Sequence, residues 1–200
     1  MTAATFPSIE PNGFSSTNII ETQINVALSG RETRTQIGYP HYEFEYVFNN
    51  LDSSERRQIL GHLANANGTL LPFYVKLPTG VDDAAGAAAG TIQVSAGAAV
   101  GVTTASFTKD STANEIVFKS GDLIQFSNAG KIYQVKSETT STAQASTVDF
   151  FPALKTAITT SHTINYVNVN ALVRYMDDPS YDLKNNSYSD IIIRFKEVDE

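Results

Sequence analysis

The chain has 200 residues, of which 42% are hydrophobic and 18% are charged, and its formal net charge is -7. This composition is typical of a globular protein with one sizeable core, and the acidic balance argues against a general nucleic-acid-binding surface, which is usually basic. The absence of Cys excludes disulfide frameworks, thiol catalysis and Cys-ligated metal sites. The N-terminus has neither the basic nor the apolar region of a signal peptide, and no apolar run approaches the roughly 18 residues that a membrane span requires.

The first third of the chain predicts a long hairpin. Residues 22–28 alternate weakly between apolar and polar side chains, and Ser29-Gly30 supplies a tight turn. The returning strand begins at Arg31 and runs into residues 42–48, where aromatic residues occupy every second position. We predict that the aromatic face is buried. The other face then carries the polar and charged side chains Arg31, Glu32, Arg34, Gln36, Glu43 and Glu45.

One helix and two further strands follow from local patterns. Asp52 with Glu55 predicts a capping box, so that a helix covers about residues 53–66 and ends at Asn67-Gly68. Alternation over residues 71–77 predicts a strand, which Pro72 places at the edge of a sheet. Residues 191–198 predict a final strand.

The composition changes abruptly at Thr79. Residues 79–106 are dominated by Ala, Gly, Ser and Thr, which is typical either of a flexible linker or of short strands with small side chains; the local alternation favours strands. Beyond them, short apolar runs separated by "KSGD" and "SNAG" predict a small all-β module.

The simplest topology pairs the last strand with the N-terminal hairpin, because terminal strands inside a sheet keep chain ends ordered. Residues 1–78 and 166–200 then form a parent domain, and residues 79–165 are an insertion in it. The predicted fold class is mainly β: a split β-barrel or sandwich with one flanking helix and an inserted small all-β domain.

No pattern in the sequence favours catalysis. The three His lack zinc-site spacing, and no nucleophile or phosphate-binding motif is present. Asp82-Asp83 and Asp177-Asp178 are either calcium ligands or solvated loop charges, and the absence of a spaced ligand loop favours the second. A carboxylate pair for glycoside hydrolysis depends on separation in space and stays open. We predict no catalytic residue, no cofactor and no metal site, and hence a protein that is not an enzyme.

Two stretches carry a resemblance to tailed-phage proteins. The order "SGRETRTQ", then "YEFEYVFNNLDSSERRQILGHLANANGTLLPFYVKLP", resembles the N-terminal domain of distal tail proteins and of a related family in gene transfer agents. Separately, "FKSGDLIQFSNAGKIYQVKSETTSTAQASTVDFFPALKTAITTSHTI" resembles the small β modules of phage tail and baseplate proteins. The quoted stretches lie within residues 29–78 and 118–164, about half of the chain. Their motifs consist of turn and strand residues, so no catalytic residue is carried over.

The resemblance implies a structural virion component of the phage tail, assembled in the host cytoplasm. It implies a homohexameric ring that acts as a distal tail protein or baseplate-hub adaptor between the tail tube and tip or fibre proteins, with DNA passing through but not specifically bound. The charged ribbon is then an intersubunit or channel-facing element, with Arg31, Glu32, Arg34, Glu43 and Glu45 as candidates. The same charges also fit the solvated face of a monomer's hairpin.

Other roles stay open at this level. The chain has no long C-terminal carbohydrate-binding domain, which argues against direct receptor binding. A tail-tube or tail-terminator ring subunit is the alternative from the same setting. The insertion is alternatively a carbohydrate- or protein-binding module, or a packing and fibre-docking module, with an exposed surface of Lys119, Asp122, Gln125, Lys131, Tyr133 and Gln134 as its candidate residues.

Overall fold

A computed structural model describes residues 3–78, 91–109, 115–141, 145–167, 169–177, 181–183 and 189–198. The fold is mainly β, as the sequence predicts. The elements in chain order are β1 (Ala4–Thr5), β2 (Gly13–Ile19), β3 (Thr22–Val26), β4 (Glu32–Gln36), β5 (His41–Leu51), α1 (Ser53–Asn65), β6 (Phe73–Lys76), β7 (Ile92–Val94), β8 (Thr104–Lys109), β9 (Ile116–Phe118), β10 (Leu123–Phe126), β11 (Ile132–Val135), β12 (Thr139–Thr140), β13 (Ser146–Phe151), β14 (Thr163–Asn165), β15 (Asn170–Tyr175), β16 (Tyr181–Leu183) and β17 (Ser189–Glu197).

One sheet is made from both ends of the chain. Its strand order is β1-β6-β15-β17-β5-β2, and β16 also pairs with β17. The predicted pairing of the last strand with the N-terminal hairpin is confirmed, since β17 is antiparallel to β5 with Lys196 opposite Glu43. The prediction of an edge strand after Pro72 is wrong: β6 pairs with β1 and β15, and Pro72 lies just before it, where its missing N–H costs no ladder bond.

The core of this sheet lies on the aromatic face of β5. Tyr42, Phe44, Tyr46 and Phe48 are buried, as their alternation predicts. The helix α1 contributes Ile59 and His62 to the same core. It starts with the predicted capping box: Asp52 accepts from the Ser54 and Glu55 amides at 2.7 and 2.8 Å, and Glu55 accepts from the Asp52 amide at 3.0 Å.

The strands between β6 and β15 form a second unit. Six of them close into a barrel in the order β10-β11-β13-β8-β7-β14, with β9 and β12 as a separate pair. The barrel has its own core, with Phe107, Phe118, Phe126 and Phe150 among its fully buried side chains. Strands β7 and β8 lie in the stretch rich in small residues, while residues 79–90 lie outside the described part of the chain.

The barrel is seated directly on the sheet. Ile132 of β11 belongs to the core of the sheet and not to that of the barrel. The Leu172 amide of β15 donates to the Gly130 carbonyl at 3.1 Å, and a Cβ placed on Gly130 would lie 2.4 Å from the Leu172 Cβ. Only glycine allows this approach without movement of the backbone.

Candidate interaction sites

Among the described residues, the most exposed feature is the hairpin β3–β4, which we call the arm (residues 20–39). It is the distal half of one long hairpin: β2 and β5 pair up to Ile19 opposite His41, and pairing resumes in the arm with Thr22 opposite Gln36. The predicted turn is present, with Gly30 at φ +78°. Every residue of the arm is exposed, so no described part of the body packs closely over it.

The two faces of the arm differ in chemistry. Ile24 lies opposite Arg34, and Val26 lies opposite Glu32, so one face carries an apolar row beside a charged row. Arg34 and Glu32 form an ion pair along β4. Val26 is 67% exposed, and Leu28 at the tip is fully exposed. The other face carries only amide and hydroxyl side chains, namely Gln23, Asn25, Thr33 and Thr35.

Glu43 and Glu45 lie elsewhere, on the face of the sheet that points away from the core. Arg194 of β17 donates to Glu45 at 2.8 Å, and this bond raises the pKa of Arg194. Glu43, Glu45 and Arg194 line a shallow depression of about 310 Å³. The five candidate intersubunit residues therefore fall into two groups, with Arg31, Glu32 and Arg34 on the arm and Glu43 and Glu45 on the sheet.

The predicted exposed surface of the insertion is wrong for four of its six residues. Asp122, Gln125, Lys131 and Tyr133 are buried, and only Lys119 and Gln134 are exposed. The four have structural partners, since their positions on β10, β11 and the adjoining turns are covered by the barrel core or by the sheet. Asp122 accepts from the Lys119 amide at 2.7 Å, and the Tyr133 hydroxyl accepts from the Lys155 amide at 3.4 Å.

Gln125 and Lys131 are bonded to the sheet. The Gln125 amide group donates to the Asn170 carbonyl at 2.5 Å and accepts from the Asn170 amide at 3.3 Å. Lys131 Nζ lies 2.6 Å from both Glu197 Oε2 and the Pro40 carbonyl oxygen. Both side chains are thus part of the seam between the barrel and the sheet, with their polar atoms bonded to other parts of the protein.

Glu197 is the residue of this seam that the sequence predictions missed. Its Oε2 also accepts from the Tyr42 amide at 3.0 Å, and its Oε1 accepts from the Ile132 amide at 2.8 Å. Burial raises the pKa of Glu197, and the nearby Lys131 ammonium opposes this shift. A signal was available: period-2 alternation places Glu197 on the same strand face as the buried Ile193 and Phe195.

The remaining His and Asp residues that the sequence raised as metal or catalytic candidates are not grouped in one site among the described residues. In the described ranges, no three His, Asp or Glu side chains are grouped so that they could hold a metal ion. His62 contacts the Tyr175 hydroxyl at 2.9 Å, and His162 accepts from the Thr159 amide at 3.0 Å. Asp177 lies 3.9 Å from Arg194, whereas Asp82, Asp83 and Asp178 lie outside the described residues.

Comparisons with known proteins give no further constraint. No protein-family model matches the chain, and no curated protein is significantly similar to it. The only helix among the described residues, α1, is far too short and too polar to cross a bilayer.

Proposed function

We propose that this protein is a non-enzymatic structural component of a phage tail that forms a ring at the tail tip as a distal tail protein or baseplate-hub adaptor. The observation that carries the proposal is the arm, which projects from the body with an uncovered row of apolar side chains. The sequence resemblance to tail-tip proteins supports the same role.

An arm with an uncovered apolar row requires a partner surface. An isolated two-stranded hairpin is marginally stable in water, and exposed apolar rows mark interaction surfaces. The arm keeps its apolar face away from its own body, so a second molecule has to cover it. When every copy offers an arm and accepts one, the contact is heterologous, and a rotation that closes gives a ring.

The charges on the arm are suited to fixing how the arm aligns with the surface that covers it. Glu32 and Arg34, of opposite sign, lie beside the apolar row, and Arg31 precedes them next to the turn; such charges select the alignment of two surfaces more than they add affinity. The partners are other copies of the chain, in a hexamer according to the resemblance, together with tube, hub or fibre proteins. The formal charge of -7 suits a conduit that DNA traverses without specific binding.

The test is the assembly state of the purified protein, measured by size-exclusion chromatography with light scattering and by negative-stain microscopy. We expect closed rings. Long tubes would instead support a tail-tube subunit, and monomers at all concentrations would contradict ring formation.

A shortened variant makes the test specific to the arm. The Ile37 amide donates to the Glu21 carbonyl at 2.8 Å, so replacing residues 22–36 by Asn-Gly should close a two-residue hairpin turn at that point. We expect this variant to fold and to remain monomeric. The matched control is Asn25→Ser with Thr35→Ser, which changes only the polar face of the arm and should leave rings intact.

A further inference from the structure

The direction in which the arm projects depends on a short stretch at its root. Between the two paired halves of the hairpin, residues 20–21 face residues 37–40, so the strands are unequal in length there. One backbone bond, from Ile37 to Glu21, bridges this interval. Unequal, sparsely bonded segments between rigid elements act as hinges. Contacts from outside the hairpin must therefore define the angle between the arm and the β2–β5 half of the hairpin.

Those contacts come from the barrel and from the end of β17. Lys131 Nζ binds the carbonyl oxygen of Pro40 at 2.6 Å, inside the unequal stretch. Glu197 binds the Tyr42 amide at 3.0 Å, one residue beyond the last β5–β17 pair, in which Glu43 lies opposite Lys196. The Lys155 ammonium lies 5.8 Å from the centroid of the Tyr39 ring, within range of a cation–π contact.

The Lys131–Glu197 pair joins these contacts into one unit. Their charged atoms are 2.6 Å apart, and both side chains are almost completely buried. A buried ion pair of this kind adds little net stability compared with apolar packing, yet it demands a defined geometry from every group that it contacts. Here the groups are Pro40 at the root, Tyr42 in β5 and Ile132 in the barrel.

The barrel end of this unit is itself held firmly. Lys131 follows Gly130, whose carbonyl accepts from the Leu172 amide and whose Cα approaches Leu172 too closely for any side chain. Ile132 is packed into the core of the sheet. The barrel thus offers Lys131 from a position fixed relative to the sheet.

We propose that Lys131 and Glu197 are positioning residues that set the direction of the arm, so that the inserted barrel determines whether the arm can reach a neighbouring copy. The consequence for assembly rests on the proposed function, whereas the effect on arm direction does not.

The experiment measures the direction of the arm in solution. Because the chain has no Cys, Ser29→Cys at the tip and Gln58→Cys on α1 introduce two unique sites for spin labels, both at exposed positions. Pulsed electron spin resonance then gives the distribution of label-to-label distances. Labelled protein is diluted into excess unlabelled protein, so that only distances within one molecule are recorded even if rings form.

The test variant is Lys131→Met with Glu197→Gln, which removes both charges together and leaves no buried charge without a partner. We expect the width of the distance distribution to increase about twofold, as for release of a hinge, and the fraction of protein in rings to fall. The matched control is Lys109→Met with Glu115→Gln. It removes another ion pair formed by a lysine whose side chain is buried, 2.6 Å across, which lies within the barrel unit, and it should leave the distribution narrow.

Each outcome bears on one of the two proposals. A folded test variant whose distribution stays as narrow as that of the parent protein would overturn the positioning role. A broadened distribution in a protein that never forms rings would keep the positioning role and reject the ring.

A measurement on the unmodified protein covers the case in which the test variant does not fold. Hydrogen exchange should show the Tyr42 amide protected within about tenfold of the Phe44 amide, because Glu197 accepts its hydrogen bond. Exchange of Tyr42 as fast as that of arm amides would show that the contact is not held in solution and would overturn the proposal.

Discussion

The two halves of the long N-terminal hairpin have similar patterns and opposite environments. In β5, alternate aromatic residues are buried against α1 and the neighbouring strands, whereas in β3 the alternate residues Ile24 and Val26 are exposed. Period-2 alternation therefore predicts that a strand has an apolar face, but not which molecule covers it. In the proximal half the cover is the chain itself. In the distal half we propose that it is another copy.

The largest expected effect of a single substitution lies in the proximal half. Phe44→Ala should lower the free energy of unfolding by about 3–5 kcal/mol, since Phe44 is buried between Phe14 and Tyr42 and its removal leaves a cavity. Ile24→Ala in the arm should change it by no more than about 0.5 kcal/mol. Urea unfolding at dilutions where the protein is monomeric measures both. An equally large loss for Ile24→Ala would mean that the arm packs on its own body.

An intermediate effect should appear with pH, and it should arise in the body alone. Burial lowers the pKa of His62, so the folded protein resists the protonation that the unfolded chain accepts near its ordinary pKa. The unfolded state then binds more protons once the pH falls below about 7.5, and the protein loses stability as acidification continues. The arm contains no His.

His62→Gln is the variant that isolates this contribution, because other groups, including Glu197, titrate equally in both proteins. On acidification, the urea concentration at the midpoint of unfolding should decrease less in the variant than in the parent protein. Parallel pH profiles for the two proteins would contradict a neutral, buried His62.

The smallest effect on stability should accompany a large effect on assembly. Arg31→Glu with Arg34→Glu changes only exposed side chains, so the free energy of unfolding should stay within about 0.5 kcal/mol. Rings should nevertheless be lost, because like charges are repeated at every interface of a closed assembly. Light scattering decides between the outcomes, with circular dichroism to confirm the β fold. A folded variant that still forms rings would show that these charges do not contribute to the interface.

Local patterns predicted the elements whose defining residues lie close together in the sequence. The capping residues Asp52 and Glu55 gave the start of α1, and the aromatic alternation gave the buried face of β5. The seam between barrel and sheet was not predicted, because it depends on contacts between distant segments. Lys131 and Glu197 are 66 residues apart, and a lysine is normally assigned to the surface unless its partner is known.

The closed barrel has a consequence for how the insertion can vary. Because its six strands pair in a ring, none of them offers an unpaired backbone edge, and crowding many copies together gives the barrel no route to strand-to-strand aggregation. The described contacts of the inserted unit with the sheet include a glycine against Leu172, an apolar side chain in the sheet core, a cation at Glu197 and an amide side chain at Asn170. A closed domain that supplies these groups satisfies the same contacts, so the outward surface of the insertion is free to diverge without disturbing the seam with the sheet.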